Sequence, residues 1–144
     1  MNREALNGRA HYRAWREIGT RWSDNDIYGH INNIVYYGWF DTAVNAWLIE
    51  AGLLDIDRGD LIGLVVETGC RYASPLSFPQ RVDIGLAVER IGKTSVSYAL
   101  GAFSKNADEA SAAGRFVHVY VDRQSRRPTP LPEAWRKALE SIAV

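Results

Sequence analysis

Between Ile34 and Ala51 apolar side chains recur every three or four positions, through Tyr37, Phe40, Val44, Trp47 and Leu48, which predicts one long α-helix. Asn32 or Asn33 suits the N-cap, because a short amide side chain can accept from the free N–H groups of the first turn. Gly52 supplies the stop. Tyr36, Trp39 and Ala43 widen the apolar stripe round most of the helix, the pattern of an element surrounded by protein. A membrane span needs about 20 predominantly apolar residues, and Asp41 and Asn45 interrupt this run before Glu50 ends it.

The remaining patterning has the period of strands. A first strand is expected over Tyr12 to Trp22, where aromatic and β-branched residues alternate with charges. Leu61 to Tyr72 reads as a second, closed by Ser74, Pro75 and Pro79. Val82, Ile84, Leu86 and Val88 alternate with Asp83, Gly85, Ala87 and Glu89. Ser95 to Phe103 repeats the alternation after a Gly92-Lys93 turn, and the polar run from Lys105 to Gly114 is the hairpin loop that leads into a last strand over Gly114 to Arg123. Glu133 to Ile142 is an amphipathic helix with Trp135, Leu139 and Ile142 on one side, whereas Met1 to Ala10 is polar and reads as loose. Strand, long helix, then four strands with short connections imply an α+β fold with an antiparallel sheet that can curl round the helix.

Composition adds limits. At 144 residues the chain is one domain, 1–144, long enough to bury its core without staples. Seventeen basic and seventeen acidic residues cancel, so no overall field draws the chain to nucleic acid or to an anionic membrane. Cys70 is the sole cysteine, which forbids an intrachain disulfide, and the residues before Tyr12 lack a signal-peptide core; the cytoplasm is the expected compartment. Five tryptophans and seven tyrosines either fill the core or mark subunit contacts.

Candidate chemistry gathers just before the long helix, in RWSDNDIYGHINNIVYYGWFDTA from Arg21 to Ala43. A carboxylate beside a helix N-terminus joins a nucleophile or general base to unpaired N–H groups that can hold a developing oxyanion, which is what acyl transfer from a good leaving group requires. Asp24 suits ordering of the loop, as Asp26 also would, and Gly29 suits backbone freedom. His30 either orients Asp26 or the substrate or satisfies the loop backbone, and Tyr36 is either core or a substrate contact.

This stretch closely resembles the D-x-D-x-x-G-H-x-N-N-x-x-Y signature of the hotdog-fold acyl-CoA thioesterases of the 4-hydroxybenzoyl-CoA thioesterase group. The likeness extends with the strand order from about Arg16 to Asp122. It implies a sheet wrapped round the long helix, homodimers that pair sheets edge to edge or tetramers built from them, and sites at the dimer interface. It further implies hydrolysis of an acyl-CoA thioester with Asp26 as nucleophile or general base, Asn33 and its neighbours at the helix entry polarising the carbonyl, and no cofactor or metal. Asn32 is an N-cap first and a substrate contact second. In that group the turn at Arg90 to Lys93 commonly lies near the CoA phosphates, a task that fixed positive charges suit; an ordinary solvated hairpin is the competing reading. Tyr28, Tyr36 and Trp39 are expected to line the acyl pocket. Acyl length and head group stay open.

Other chemistries fare worse. Asp24, Asp26 and His30 lack the further ligands of a hydrolytic metal site. The run from Arg90 to Ser95 imitates a phosphate-binding loop but has Ala87 where that loop needs glycine, and a strand follows it. Glu67, costly inside an apolar strand, borders the acyl pocket or pairs with Arg71 or with a second subunit. The alternative to an enzyme is a hotdog module that binds acyl-CoA or an acyl-carrier protein without turnover, since one fold hosts several functions.

Overall fold

The computed structural model describes residues 5–144. Five antiparallel strands, β1 (Ala14–Gly19), β2 (Leu61–Tyr72), β3 (Arg81–Ile91), β4 (Ser95–Ser104) and β5 (Ala112–Asp122), form one sheet in the order β1-β3-β4-β5-β2. The sheet curls round helix α1 (Asn33–Glu50), and a short helix α2 (Glu133–Glu140) packs at its far end. This is the hotdog architecture.

Helix α1 begins where its sequence says it should. Asn32 is the N-cap, its side chain accepting from the Ile34 N–H at 3.2 Å. Past the other end Gly52 adopts φ +76°, and the Leu53 N–H returns to the Leu48 carbonyl at 2.9 Å, closing the helix with a left-handed turn. Tyr36, Trp39, Phe40, Ala43, Val44 and Leu48 are buried against the sheet. The helix is not enclosed all round, however: Ile34 is 69% exposed and Gly38 and Thr42 also face outward, over a groove of about 610 Å³ beside β1.

The inner face of the sheet supplies the rest of the core. Ile84, Leu86 and Val88 of β3, Tyr98, Leu100 and Ala102 of β4, and Phe116 and Tyr120 of β5 meet α1 and α2 there. Phe40 lies so close to β5 that a Cβ at Gly114 would come within 2.5 Å of its ring.

The N-terminal segment departs from its reading. Its first four residues lie outside the described residues, but Leu6 to Tyr12 is docked across the outer face of the sheet. The Tyr12 ring lies over Gly85 and Gly101, where a Cβ would come within 2.7 Å of it, so only glycine admits the ring. Arg9 pairs with Asp83 at 2.7 Å and stacks over Trp15. That crossing is why β1 starts at Ala14, two residues later than its pattern suggests. It stops at Gly19, because Trp22–Asp24 turns into a single 3-10 turn.

Edge strand β2 pairs with β5 along all of its length, and its other side is unpaired among the described residues. Its register slips between Val65 and Glu67, a bulge that turns Glu67 towards Arg115, with which it pairs at 2.9 Å.

Candidate active site

The loop from Ser23 to Asn32 is a small closed hairpin built almost wholly from backbone bonds. The Asp26 N–H donates to the His30 carbonyl at 2.8 Å, the Gly29 N–H to the Asp26 carbonyl at 3.1 Å, and the Asn32 N–H to the Asp24 carbonyl at 2.8 Å. Gly29 sits at φ +78°, a conformation that favours glycine at the turn. A second segment clamps this hairpin from outside: the Ile31 N–H donates to the Leu76 carbonyl at 2.7 Å, the Ser77 hydroxyl to the Gly29 carbonyl at 2.8 Å, and the Phe78 N–H to Asn25 Oδ1 at 3.0 Å.

The Asp26 carboxylate is oriented by two peptide groups. Its Oδ1 accepts the Tyr28 N–H at 2.8 Å and the His30 N–H at 3.3 Å, while Oδ2 makes no hydrogen bond among the described residues. The N–H of Asn33, first residue of α1, likewise has no partner among them, as helix geometry dictates for the first turn. One oxygen is fixed and the other is free.

Asp26, His30, Ile31, Asn33 and Tyr36 share a cavity of about 390 Å³ with Tyr72, Ala73, Ser74 and Pro75. Tyr36 is 3% exposed, and burial pushes its phenol up to about 12, with a Leu76 backbone hydrogen bond pulling the other way, so it presents a protonated hydroxyl. The Tyr72 hydroxyl donates to the Asn33 carbonyl at 3.0 Å and joins β2 to the first turn of α1. Cys70 stands half-buried on β2, its thiol pushed up by burial and therefore held protonated, which suits it poorly as a nucleophile.

Of the residues singled out from sequence, Asp26, His30, Asn33 and Tyr36 come together here. Asn32 adjoins them, but its side chain is occupied by the cap. Arg90 and Lys93 lie at the β3–β4 hairpin, about 30 Å from the Arg81 end of β3 at about 3.3 Å per residue. There the Lys93 carbonyl receives the Leu131 N–H at 3.0 Å. Trp39 lines the groove beside β1 instead of this cavity, and Tyr28, 78% exposed, lines neither. Sequence reading missed the wall from Tyr72 to Pro75, which it took as the end of a strand. The signal available was Leu76, a single aliphatic residue among Ser and Pro, which proves to be 1% exposed.

The family model described as the thioesterase-like superfamily matches residues 20–139, which span this loop, α1 and strands β2 to β5. The chain belongs to the thioesterase-like superfamily. The PA5185 protein of Pseudomonas aeruginosa strain PAO1 is similar in structure, at 53% identity over 94% of this chain and 95% of that one, with a TM-score of 0.91. The PA2801 protein of the same species, a thioesterase candidate, is similar at 28% identity over 86% and 95%, with a TM-score of 0.79. A 1,4-dihydroxy-2-naphthoyl-CoA thioesterase from Synechocystis shares the fold at 19% identity over 87% and 93%, with a TM-score of 0.77. Among proteins of curated function none matches in sequence. Among the described residues no helix is long and apolar enough to cross a membrane, and no three His, Cys, Asp or Glu side chains cluster as metal ligands.

Proposed function

We propose that this thioesterase-family hydrolase cleaves an acyl-CoA thioester to the free acid and CoA, with Asp26 as nucleophile or general base. The observation that carries the reading is the pairing of a free carboxylate oxygen, Asp26 Oδ2, with an unpartnered N–H at Asn33 on the wall of one cavity. As a nucleophile, Oδ2 adds to the thioester carbonyl, the C–S bond breaks, and CoA leaves as a thiolate that takes its proton from water; a second water then opens the acyl-Asp26 anhydride. As a base, Oδ2 takes the proton of the attacking water and the same C–S bond breaks. In both routes charge builds on the carbonyl oxygen, where the Asn33 N–H and the positive end of the α1 dipole stabilise it. His30, bonded through its N–H to Asp26 Oδ1, holds the carboxylate's orientation.

Within the proposal the protein is a cytoplasmic homodimer, or a tetramer of such dimers, paired through β2. That edge is twelve residues long and shows Leu64, Val65 and Val66 at 41%, 47% and 60% exposure, a surface that free proteins usually cover. Antiparallel pairing of two such edges brings the hairpin end of one sheet towards the Tyr72 end of the other. Arg90 and Lys93 would thereby reach the CoA phosphates in the neighbouring site, and Asn32 and Tyr36 the thioester end in their own. The naphthoyl-CoA thioester of the Synechocystis relative agrees in substrate class.

The test is thiol release from acetyl-, butanoyl-, decanoyl- and benzoyl-CoA by wild type and Asp26→Asn. Because Asn keeps an Oδ1 acceptor for the Tyr28 and His30 N–H groups, the variant folds, and kcat is expected to fall at least ~100-fold, the scale of a lost base or nucleophile. Binding of CoA esters by wild type without thiol release points instead to a carrier module; unchanged turnover in the variant removes Asp26 from the mechanism.

A further inference from the structure

We infer that the Tyr36 hydroxyl is a second donor to the acyl carbonyl oxygen, beside the Asn33 N–H; this rests on the thioesterase reading of the cavity and adds a catalytic residue to it. Oxyanion sites of acyl-transfer enzymes commonly pair two donors, and a lone N–H leaves one place to fill. Asn33 and Tyr36 stand three positions apart on α1, hence on one face of its first turn, and both line the cavity with Asp26. A long side chain on a helix leans back over the turn before it, which carries the Tyr36 phenol towards the helix N-terminus. The Leu76 backbone hydrogen bond to that phenol agrees, since Leu76 also holds the Ile31 N–H at 2.7 Å, two positions before Asn33.

The hydroxyl is both held and uncommitted. Its ring meets Trp39 and Tyr72 edge-on, each at 5.1 Å between ring centres, and Phe40 at 6.5 Å, so three aromatic neighbours fix where it points. The Leu76 backbone bond lowers the phenol's proton affinity, as a donor to its oxygen does, so the peptide N–H serves the oxygen and the hydroxyl's own proton has no acceptor among the described residues. A buried O–H ordinarily finds one. Burial keeps that proton on the phenol, so Tyr36 shares it in a hydrogen bond and does not transfer it. The acceptor that suits such a donor is an oxygen that gains charge as the reaction proceeds, and in this cavity that is the thioester carbonyl under attack from Asp26 Oδ2 or its water.

The experiment measures kcat and KM for butanoyl- and benzoyl-CoA in wild type and Tyr36→Phe, with the melting temperature and the dissociation constant of S-butyl-CoA, a thioether that has no carbonyl. Infrared difference spectra then give the carbonyl stretch of benzoyl-CoA, isotope-labelled at its carbonyl carbon, bound to Asp26→Asn and to the double variant Asp26→Asn, Tyr36→Phe. Tyr36→Phe is expected to lower kcat about 100-fold, the scale of one lost oxyanion donor, and to leave thioether binding unchanged. The stretch is expected to fall below that of the free ester on Asp26→Asn and to move back in the double variant. A kcat close to that of wild type, or a stretch indifferent to Tyr36→Phe, overturns the inference. Should Tyr36→Phe melt early, Tyr36→3-fluorotyrosine keeps ring and hydroxyl and donates more strongly: a stretch that falls further upholds the contact, and an unmoved one overturns it. If wild type releases no thiol yet the bound carbonyl still answers to Tyr36, the contact stands and the hydrolytic reading falls. If neither the ester nor the thioether binds, both fall.

Discussion

The carboxylate of Asp24 takes three hydrogen bonds from one residue, Arg21: its backbone N–H at 2.8 Å, Nε at 3.0 Å and Nη2 at 2.8 Å. Asp24 is 1% exposed, and its own carbonyl holds the N-cap residue Asn32. The first Asp of the motif thus fastens the loop to the helix entry, while the second carries a free oxygen. Asp24→Ala is expected to cost about 1–3 kcal/mol, since it strips a buried acceptor from donors already committed to it. Chemical denaturation checks the value. A variant as stable as wild type would show that the hairpin needs no such anchor.

Gly114 offers a test of how tightly α1 sits on the sheet. A methyl there would lie 2.5 and 2.7 Å from two carbons of the Phe40 ring, which is fully buried and has no room to swing away. Gly114→Ala is expected to lose about 1–3 kcal/mol through overpacking. Restoration by the double variant Gly114→Ala, Phe40→Leu would assign the loss to that contact; a double variant weaker than either single change would not.

His118 makes stability depend on pH. It is 2% exposed, its Nδ1 lies 3.4 Å from the Tyr120 hydroxyl, and its Nε2 is buried with no partner among the described residues. Burial lowers its proton affinity, and the nearby Asp41 charge opposes that only in part. The unfolded chain then binds the proton more readily than the folded one, so stability falls as pH drops below about 6.5, the ordinary histidine value. Melting temperatures at pH 7.5 and 5.0 should show a smaller acid loss in His118→Phe than in wild type. Equal losses in the two proteins would remove His118 as the cause.

The legible parts of this molecule were the local ones. Asn32 and Gly52 bracket α1 because capping acts within a turn, and Asp26, His30, Asn33 and Tyr36 could be grouped because eleven consecutive positions hold them all. Trp135, Leu139 and Ile142 likewise proved buried, as their spacing indicated. The place of β2 at the edge beside β5, instead of next to its sequence neighbour β3, depends on pairings such as Tyr72 with Ala112 across forty residues, which no local pattern encodes. The bulge after Val65 was hidden for a related reason: it breaks the alternation from which facing is read, and so the side of the sheet taken by Glu67 could not be inferred. Tyr12, patterned like a strand residue, left the strand because two glycines on distant strands made a seat for its ring.

The two halves of the cavity come from separate stretches of chain. The carboxylate and the first helical N–H lie seven positions apart on a hairpin held mostly by its own peptide groups, whereas the opposite wall, from Tyr72 to Pro75, hangs from the sheet through Ser111. Substitutions in that wall can accumulate without moving Asp26, because few bonds that aim it pass through their side chains. Such a scaffold can wander among cargoes over generations while its cutting edge stays put, and relatives that differ in what they accept would then be expected to diverge first at these four wall positions and last in the hairpin.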